Sequence, residues 1–405
     1  MEDLVLRCLI KNELIRYSSN LNLAAESLML QASFDVQTNV LPFTLTTARS
    51  GFIDELERLT SARAKALFNC NYASVLASDD CQTFDAVSSA FLKPSDTVLA
   101  PLGNRFASED TFNQTVGVVT YSTSPAVCAF DVNQVLNCAI LHKPQLIVVD
   151  ASLSSQPINW KHFREIANIV NAYLVADISH AASAIIEGSY PSPMQYCHAV
   201  TCSTHFSLRG PLGGLILTND ASLFETFQRS LKRSSLQPHV LASKAAALLW
   251  ASTNEFKAFA RLTSSNATVL AKSLRANGLA VCNFTACGLV FVNLSQLNLT
   301  AKQVEDALND CCVQVSVAPG APTFLRLGAY HVSIKQIPPT EITFIAHFVA
   351  KALKQISSLS VVSLETQAKI RRFALTLARL SMLPNRTGSI EHYLHSAVTC
   401  DKTCH

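Results

Sequence analysis

Between Thr97 and Leu217, six short apolar runs (TVLA, VGVVTY, QLIVVD, AYLVAD, AVTCST and GLIL) alternate with stretches of helical periodicity. No other feature restricts the fold as strongly. Short apolar runs without polar alternation suit strands buried on both faces, which is the pattern of a parallel sheet covered by helices. Helical spacing fits Asn133 to Leu141 and Trp160 to Asn171, and the links between runs are short, as strand–helix–strand units require. Beyond Ser264 the rhythm changes to a helix into Ala276, strands at LAVC and GLVFVNL, a helix from Ala301, a strand at VQVSV and two closing helices, the last over about Thr366 to Ser381. The expected organisation is a helical arm over 1–35, a large α/β domain with a mostly parallel sheet over 36–263, a smaller α+β domain over 264–385, and a flexible polar tail over 386–405.

A chain of 405 residues that is 49% apolar can bury a sizeable core. Its 32 basic and 29 acidic residues are scattered, so no basic block is available to track a phosphate backbone, and nucleic acid is not an expected partner. The longest uncharged stretch, Ala276 to Ala301, is interrupted by Asn277, Gly278, Asn283, Thr285 and Gly288 and reads as two strands, not as a membrane span. MEDLVLRCLIKNELIRYSS has acidic residues at its start and no continuous apolar core, so no secretory or transit signal is expected. The cytoplasm is the expected compartment, with the mitochondrion as the alternative. Thirteen cysteines in that setting are expected to be thiols and not disulfides. Cys311 and Cys312 are adjacent, and Cys400, Cys404 and His405 close the chain, but neither group has the company of a zinc site, so no metal is expected.

From Glu13 to about Pro384 the chain resembles serine hydroxymethyltransferase. The sharpest segment is AYLVADISHAASAIIEGSYPSPMQYCHAVTCSTHFSLRGPLGGLIL, where that family has an aspartate, a histidine three residues on, then Thr-His-Lys and Gly-Pro-Arg-Gly-Gly. SARAKALFNCNYASV, LKPSDTVLA, KPQLIVVDAS, NWKHFREIANIVNAYLV and FLRLG agree more weakly but in the same order. The resemblance implies a fold-type I large domain, pyridoxal phosphate as cofactor, folate as co-substrate and an obligate dimer.

It also implies roles for particular positions. Asp177 matches the partner of the cofactor's pyridine nitrogen, Ser152 a serine near its ring hydroxyl, and Arg326 the arginine for the substrate carboxylate; His180 and His205 fall on family histidines. Asp177 has a plainer reading as a capping or turn aspartate, and Arg326 as a surface or salt-bridge residue. Phe206 stands where the family has the lysine that forms the Schiff base, and no lysine lies between Lys161 and Lys232. Phenylalanine has neither a nucleophile nor a base to offer. The phosphate cup, Ser-Gly-Ser in the family, aligns with Asp79, Asp80 and Cys81, ahead of the retained Gln82. Two like charges about 4 Å apart repel by roughly 4 kcal/mol at an effective dielectric near 20, more than several hydrogen bonds return.

Further losses follow the same direction. Ser108 falls at the ring-stacking histidine, Tyr17, Ser18 and Ser19 at a Ser-Glu-Asn motif, Gln37 and Asn39 at the folate tyrosine and glutamate, and Thr46 and Thr47 at a tyrosine pair. A glycine-rich loop before SLKRSSLQPHVLASKAAALL is missing, and Leu212 replaces the arginine of the Gly-Pro-Arg-Gly-Gly turn. The expectation is a pseudoenzyme that holds no cofactor and serves as a dimeric scaffold or regulatory partner, a homodimer or a heterodimer with an active paralogue. The alternative is a glycine hydroxymethyltransferase or other cleft activity in one-carbon metabolism with non-covalently held pyridoxal phosphate, drawing on Asp177, His180, His205 and Arg326.

Overall fold

The computed structural model describes residues 9, 20–25, 29–41, 51–108, 112, 115–124, 128–231, 237–282 and 287–381. Tyr17, Ser18, Ser19, Thr46, Thr47, the segment 232–236 and the C-terminal cysteines lie outside the described residues.

All six apolar runs form strands, and a seventh joins them. In chain order they are β1 (Tyr72–Ser74), β2 (Thr97–Pro101), β3 (Gly117–Tyr121), β4 (Leu146–Asp150), β5 (Tyr173–Asp177), β6 (Ala199–Ser203) and β7 (Gly214–Thr218). They assemble in the order β1-β7-β6-β5-β4-β2-β3. The pairs β6–β5, β5–β4, β4–β2 and β2–β3 are parallel, and only β7 runs against its neighbours. The fold is the mixed α/β arrangement of the fold-type I transferases, with a mostly parallel central sheet.

Alternate residues of each strand feed opposite faces, as a pleated strand requires. Leu99, Ile147, Val149, Leu174, Ala176 and Val200 pack on one side with Trp160 and Phe163. Val98, Ala100, Leu146, Val148, Val175 and Ala199 pack on the other with Phe84, Phe91 and Phe227. The helix α1 (Trp160–Val170) covers the first face because Trp160, Phe163, Ile166 and Ala167 share one stripe, and it stops at Asn171, whose φ of 55° makes a left-handed C-cap.

A second sheet is antiparallel throughout. Its strands β8 (Ala280–Val281), β9 (Leu289–Asn293), β10 (Ser316–Val317) and β11 (Phe324–Gly328) lie in the order β8-β9-β11-β10. The VQVSV run is split: Val313–Gln314 pairs in parallel with Leu21–Asn22, and only Ser316–Val317 joins the second sheet. The helix α2 (Asn254–Ala276) continues unbroken past Ser264, and its buried residues are divided between the two cores.

One expectation from composition fails. Cys128 and Cys282 are joined as a disulfide, with Cα atoms 6.1 Å apart and 154 residues between them, whereas all thirteen cysteines were expected to be thiols. Composition and compartment say nothing about which two cysteines a fold brings together, and this separation falls within the span a disulfide bridges. Cys70, Cys81, Cys138, Cys197, Cys202, Cys287, Cys311 and Cys312 remain free.

Sequence reading also passed over Lys244, on the helix α3 (Pro238–Ala251). Its side chain is fully buried, and its ammonium donates to the carbonyls of Val75 and Gly214 at 2.9 Å each and to that of Ala77. The lysine thus pins α3 to the end of β1 and the start of β7. Burial pushes its pKa down to about 7, while Asp80 and Asp79 pull it up. Gly213 makes room for it: a Cβ there would meet Lys244 Cε at 2.5 Å. Replacing Lys244 with methionine keeps the bulk and removes all three donors, so unfolding in urea is expected to lose roughly 2–4 kcal/mol with an unchanged slope. A loss below about 1 kcal/mol would show that the three carbonyls do not need the ammonium.

Candidate functional site

The parallel strands end in polar residues along one edge of the sheet, where open α/β sheets place their ligand crevices. β4 ends in Asp150 and β5 in Asp177, register partners across the sheet, and β6 ends in Ser203. Together with the start of the helix α4 (Asp80–Phe91), the segment from Gly103 to Ser108, and Arg326 on β11, they enclose a cleft of about 530 Å³. Asp80, Ser108, Ser152, Asp177, His180, Phe206 and Arg326 all line it, so the structure gathers seven of the sequence-predicted positions in one place. His205 stands beside them, its Nε2 3.9 Å from Asp80 Oδ2.

The start of α4 is closed by its own carboxylates. Asp79 is the N-cap and its Oδ1 accepts the backbone N–H of Gln82 at 2.8 Å. Gln82 turns back, and its Oε1 accepts the N–H of Ser78 at 2.9 Å. Asp80, in the first turn, accepts a 2.6 Å hydrogen bond from Ser203 Oγ. The N–H groups of Ser78 and Gln82 are therefore engaged by side chains, and the positive end of the helix dipole is met by two acids. Cys81 follows on the exposed side, where Arg105 Nη1 approaches its sulfur at 3.0 Å and the Arg105 guanidinium lies 5.2 Å from the centre of the Phe84 ring.

Phe206 is held between two histidines. Its ring centre lies 4.2 Å from that of His180, nearly parallel, and 4.0 Å from that of His205. His180 is buried, and Tyr330 Oη donates to its carbonyl at 3.1 Å. Burial first, then the charges of Arg326 and His205, hold the His180 pKa well below the ordinary value, so its ring is neutral. Behind the stack, Thr204 Oγ1 donates to the carbonyls of Pro211 and Gly213, which fixes the turn through GPLGG, and Leu212 points outward at 57% exposure.

The two strand-end aspartates have different partners. Asp150 accepts from Asn104 Nδ2 and from the N–H of Ser152, both at 2.8 Å. Asp177 accepts the N–H of Ser179 at 2.9 Å, while burial and the charge of Asp150 push its carboxyl up to about 7. Asp150, Asn104, Ser179 and Ser203 were not singled out from the sequence. Asp150 was legible there: LIVVD ends in an acid just as YLVAD does, and two adjacent parallel strands that end alike bring their acids side by side. Gln37, near the chain start, has a buried Oε1 with no hydrogen-bond partner among the described residues, and neither it nor Asn39 lines this cleft.

A family model for serine hydroxymethyltransferase matches residues 2–349. Relatives of the same name include one from Wolbachia sp. subsp. Brugia malayi (strain TRS), 35% identical over 319 residues, which cover 74% of this chain and 75% of that protein. Another, from Rickettsia felis (strain ATCC VR-1525 / URRWXCal2), is 31% identical over 372 residues, covering 85% of this chain and 88% of its own length. With a match over most of its length and relatives of similar extent, the chain belongs to the serine hydroxymethyltransferase family.

Proposed function

We propose that this chain is a serine hydroxymethyltransferase-like protein without the family's transferase activity, and that it acts as a dimeric scaffold or regulatory partner. The observation that carries the reading is Phe206 packed against His180 and His205, with ring centres 4.2 and 4.0 Å away. In the family pattern Phe206 holds the place of the lysine whose amine binds the cofactor, and a stacked benzyl ring has no atom that can do so.

The other requirements of pyridoxal phosphate fit no better. A phosphate at the start of α4 would face Asp79 and Asp80, and the N–H groups of Ser78 and Gln82 are already engaged by side chains. A substitute amine is not at hand, because the protons of Lys244 go to three backbone carbonyls and its side chain does not line the cleft. Because the residues present do not suit the group, no catalytic step is derived through it.

Family members are typically homo-oligomeric, and a large buried interface stabilises a fold whether or not its site works. A homodimer, or a heterodimer with an active paralogue, is therefore the form in which we place this chain, in the cytoplasm or alternatively the mitochondrion. One observation favours a second reading: the cleft is open, and Asp177, His180 and Arg326 still line it. That reading is an enzyme with pyridoxal phosphate held non-covalently.

The two are separated by saturating the protein with pyridoxal phosphate, reducing with borohydride and looking for cofactor fixed to the chain, with Phe206→Lys alongside. The expected result is no adduct in the native chain. An adduct there would overturn the proposal, and an adduct confined to the lysine variant would place the loss at residue 206 alone.

Asp177 supplies an independent check. With its folded pKa near 7, above the unfolded value of about 3.9, the folded state retains a proton that the unfolded state releases. Its contribution to stability is fully present below about pH 4 and lost as the pH rises through 7. Asp177→Asn removes this dependence, so the stability difference between native chain and variant is expected to change by roughly 2–4 kcal/mol between pH 4 and pH 8. A difference that stays flat would mean that Asp177 is ionised throughout.

A further inference from the structure

Cys282 sits in the second sheet on the same row as Arg326. It follows β8, the edge strand, and its N–H donates to the Phe291 carbonyl at 3.0 Å, so it extends the pairing of β8 with β9. Phe291 is in turn the register partner of Arg326 across β9 and β11. The row therefore runs from the edge of the sheet to the arginine that lines the cleft.

Cys128 belongs to the opposite wall. It lies in the turn between Thr123–Ser124 and Ala129–Phe130, where its N–H donates to the Ser124 carbonyl at 2.8 Å. Its own carbonyl accepts the N–H of Ser155 at 2.8 Å, in the segment that leaves β4 and carries Ser152 into the cleft. Across 154 residues of chain, the disulfide joins the support of Arg326 to the support of Ser152.

The seam that this bond crosses is not closely packed. A pocket of about 280 Å³ lies along it, lined by Cys128, Phe130 and Leu153 from the side of the central sheet and by Phe291, Ala318 and Phe324 from the second sheet. Side chains that face an open pocket lack the dispersion contacts that would otherwise hold the two sides together. A covalent link that closes so long a loop restricts opening most where packing is thin. Its persistence depends on the thiols around it, because a protein disulfide exchanges with a dithiol of lower potential.

We propose that Cys128–Cys282 is a redox clamp on the cleft. Oxidised, it fixes the row from Cys282 to Arg326 against the segment that carries Ser152; reduced, it releases the second sheet along the pocket. In the switching step a dithiol supplies two electrons and two protons: the bond between the two sulfurs breaks, each sulfur becomes a thiol, and the reductant closes as its own disulfide. Both cysteines are buried, so the exchange proceeds from locally opened molecules. The inference stands whether or not the cleft holds a cofactor.

The test is hydrogen exchange of the full chain, read by mass spectrometry, before and after incubation with dithiothreitol in the absence of denaturant. Peptide mapping under oxidising conditions is expected to recover residues 128 and 282 linked, and alkylation after reduction to label both. Exchange in β9 and β11 is expected to quicken about tenfold or more on reduction, while β4 and β5 stay as they were. Cys282→Ser is expected to exchange at the reduced rate with or without dithiothreitol, which separates this pair from the other cysteines. Should that variant fail to fold, the native chain compared in its two redox states still decides the matter. An unlinked pair under oxidising conditions, a bond that resists dithiothreitol in the folded chain, unchanged exchange in β9 and β11, an equal rise in β4 and β5, or a folded variant that still responds to dithiothreitol would each overturn the inference.

Discussion

Burying both faces of a parallel sheet leaves its strands only their ends for polar work. Residues 146–149 and 174–176 are fully buried in this chain, and the first charged groups at the strand ends are Asp150, itself still buried, and Asp177. Ser203 at the end of β6 and the start of α4 complete the same edge. The core therefore dictates where a site can be. It says nothing about what occupies it, and the chemistry is set by the few side chains that emerge there.

Those side chains now satisfy one another. Asp79 caps its own helix, Asp80 takes the Ser203 hydroxyl, Gln82 folds back on Ser78, and Phe206 fills the space between two imidazoles. Each contact is local and modest, about 0.5–2 kcal/mol for a cap or a stacked pair. Together they turn an edge suited to an anion into one rich in acids. The balance is incomplete at one point, where burial and the neighbouring Asp150 push the Asp177 carboxyl up to about 7.

Most of the sheet was legible because strand burial writes itself into sequence as unbroken apolar runs, and all six runs became strands. β1 was not read because three residues, YAS, carry no period. VQVSV misled for a related reason: a single apolar run can serve two different sheets, and only tertiary pairing with Leu21–Asn22 divides it. In the cleft, the resemblance located Asp177, His180, Phe206 and Arg326 because they lie in or near dense motifs. Asn104, Ser179 and Ser203 were missed because single polar residues at strand ends look like ordinary turns. Lys244 was missed because a lone lysine in an apolar helix that is buried on most sides carries no sign of its partners, and its three carbonyl acceptors are separated from it by 30 to 169 residues. The Cys128–Cys282 pairing was likewise invisible, since its partners are 154 residues apart.

The central claim is that this cleft does not perform the family's reaction. The most direct measurement is single-turnover release of the serine side-chain carbon by the purified chain, supplied with saturating pyridoxal phosphate and tetrahydrofolate and compared with free cofactor alone. The account predicts a rate indistinguishable from free cofactor. A rate above that background that disappears in Asp177→Asn would contradict it and establish the chain as a working transferase.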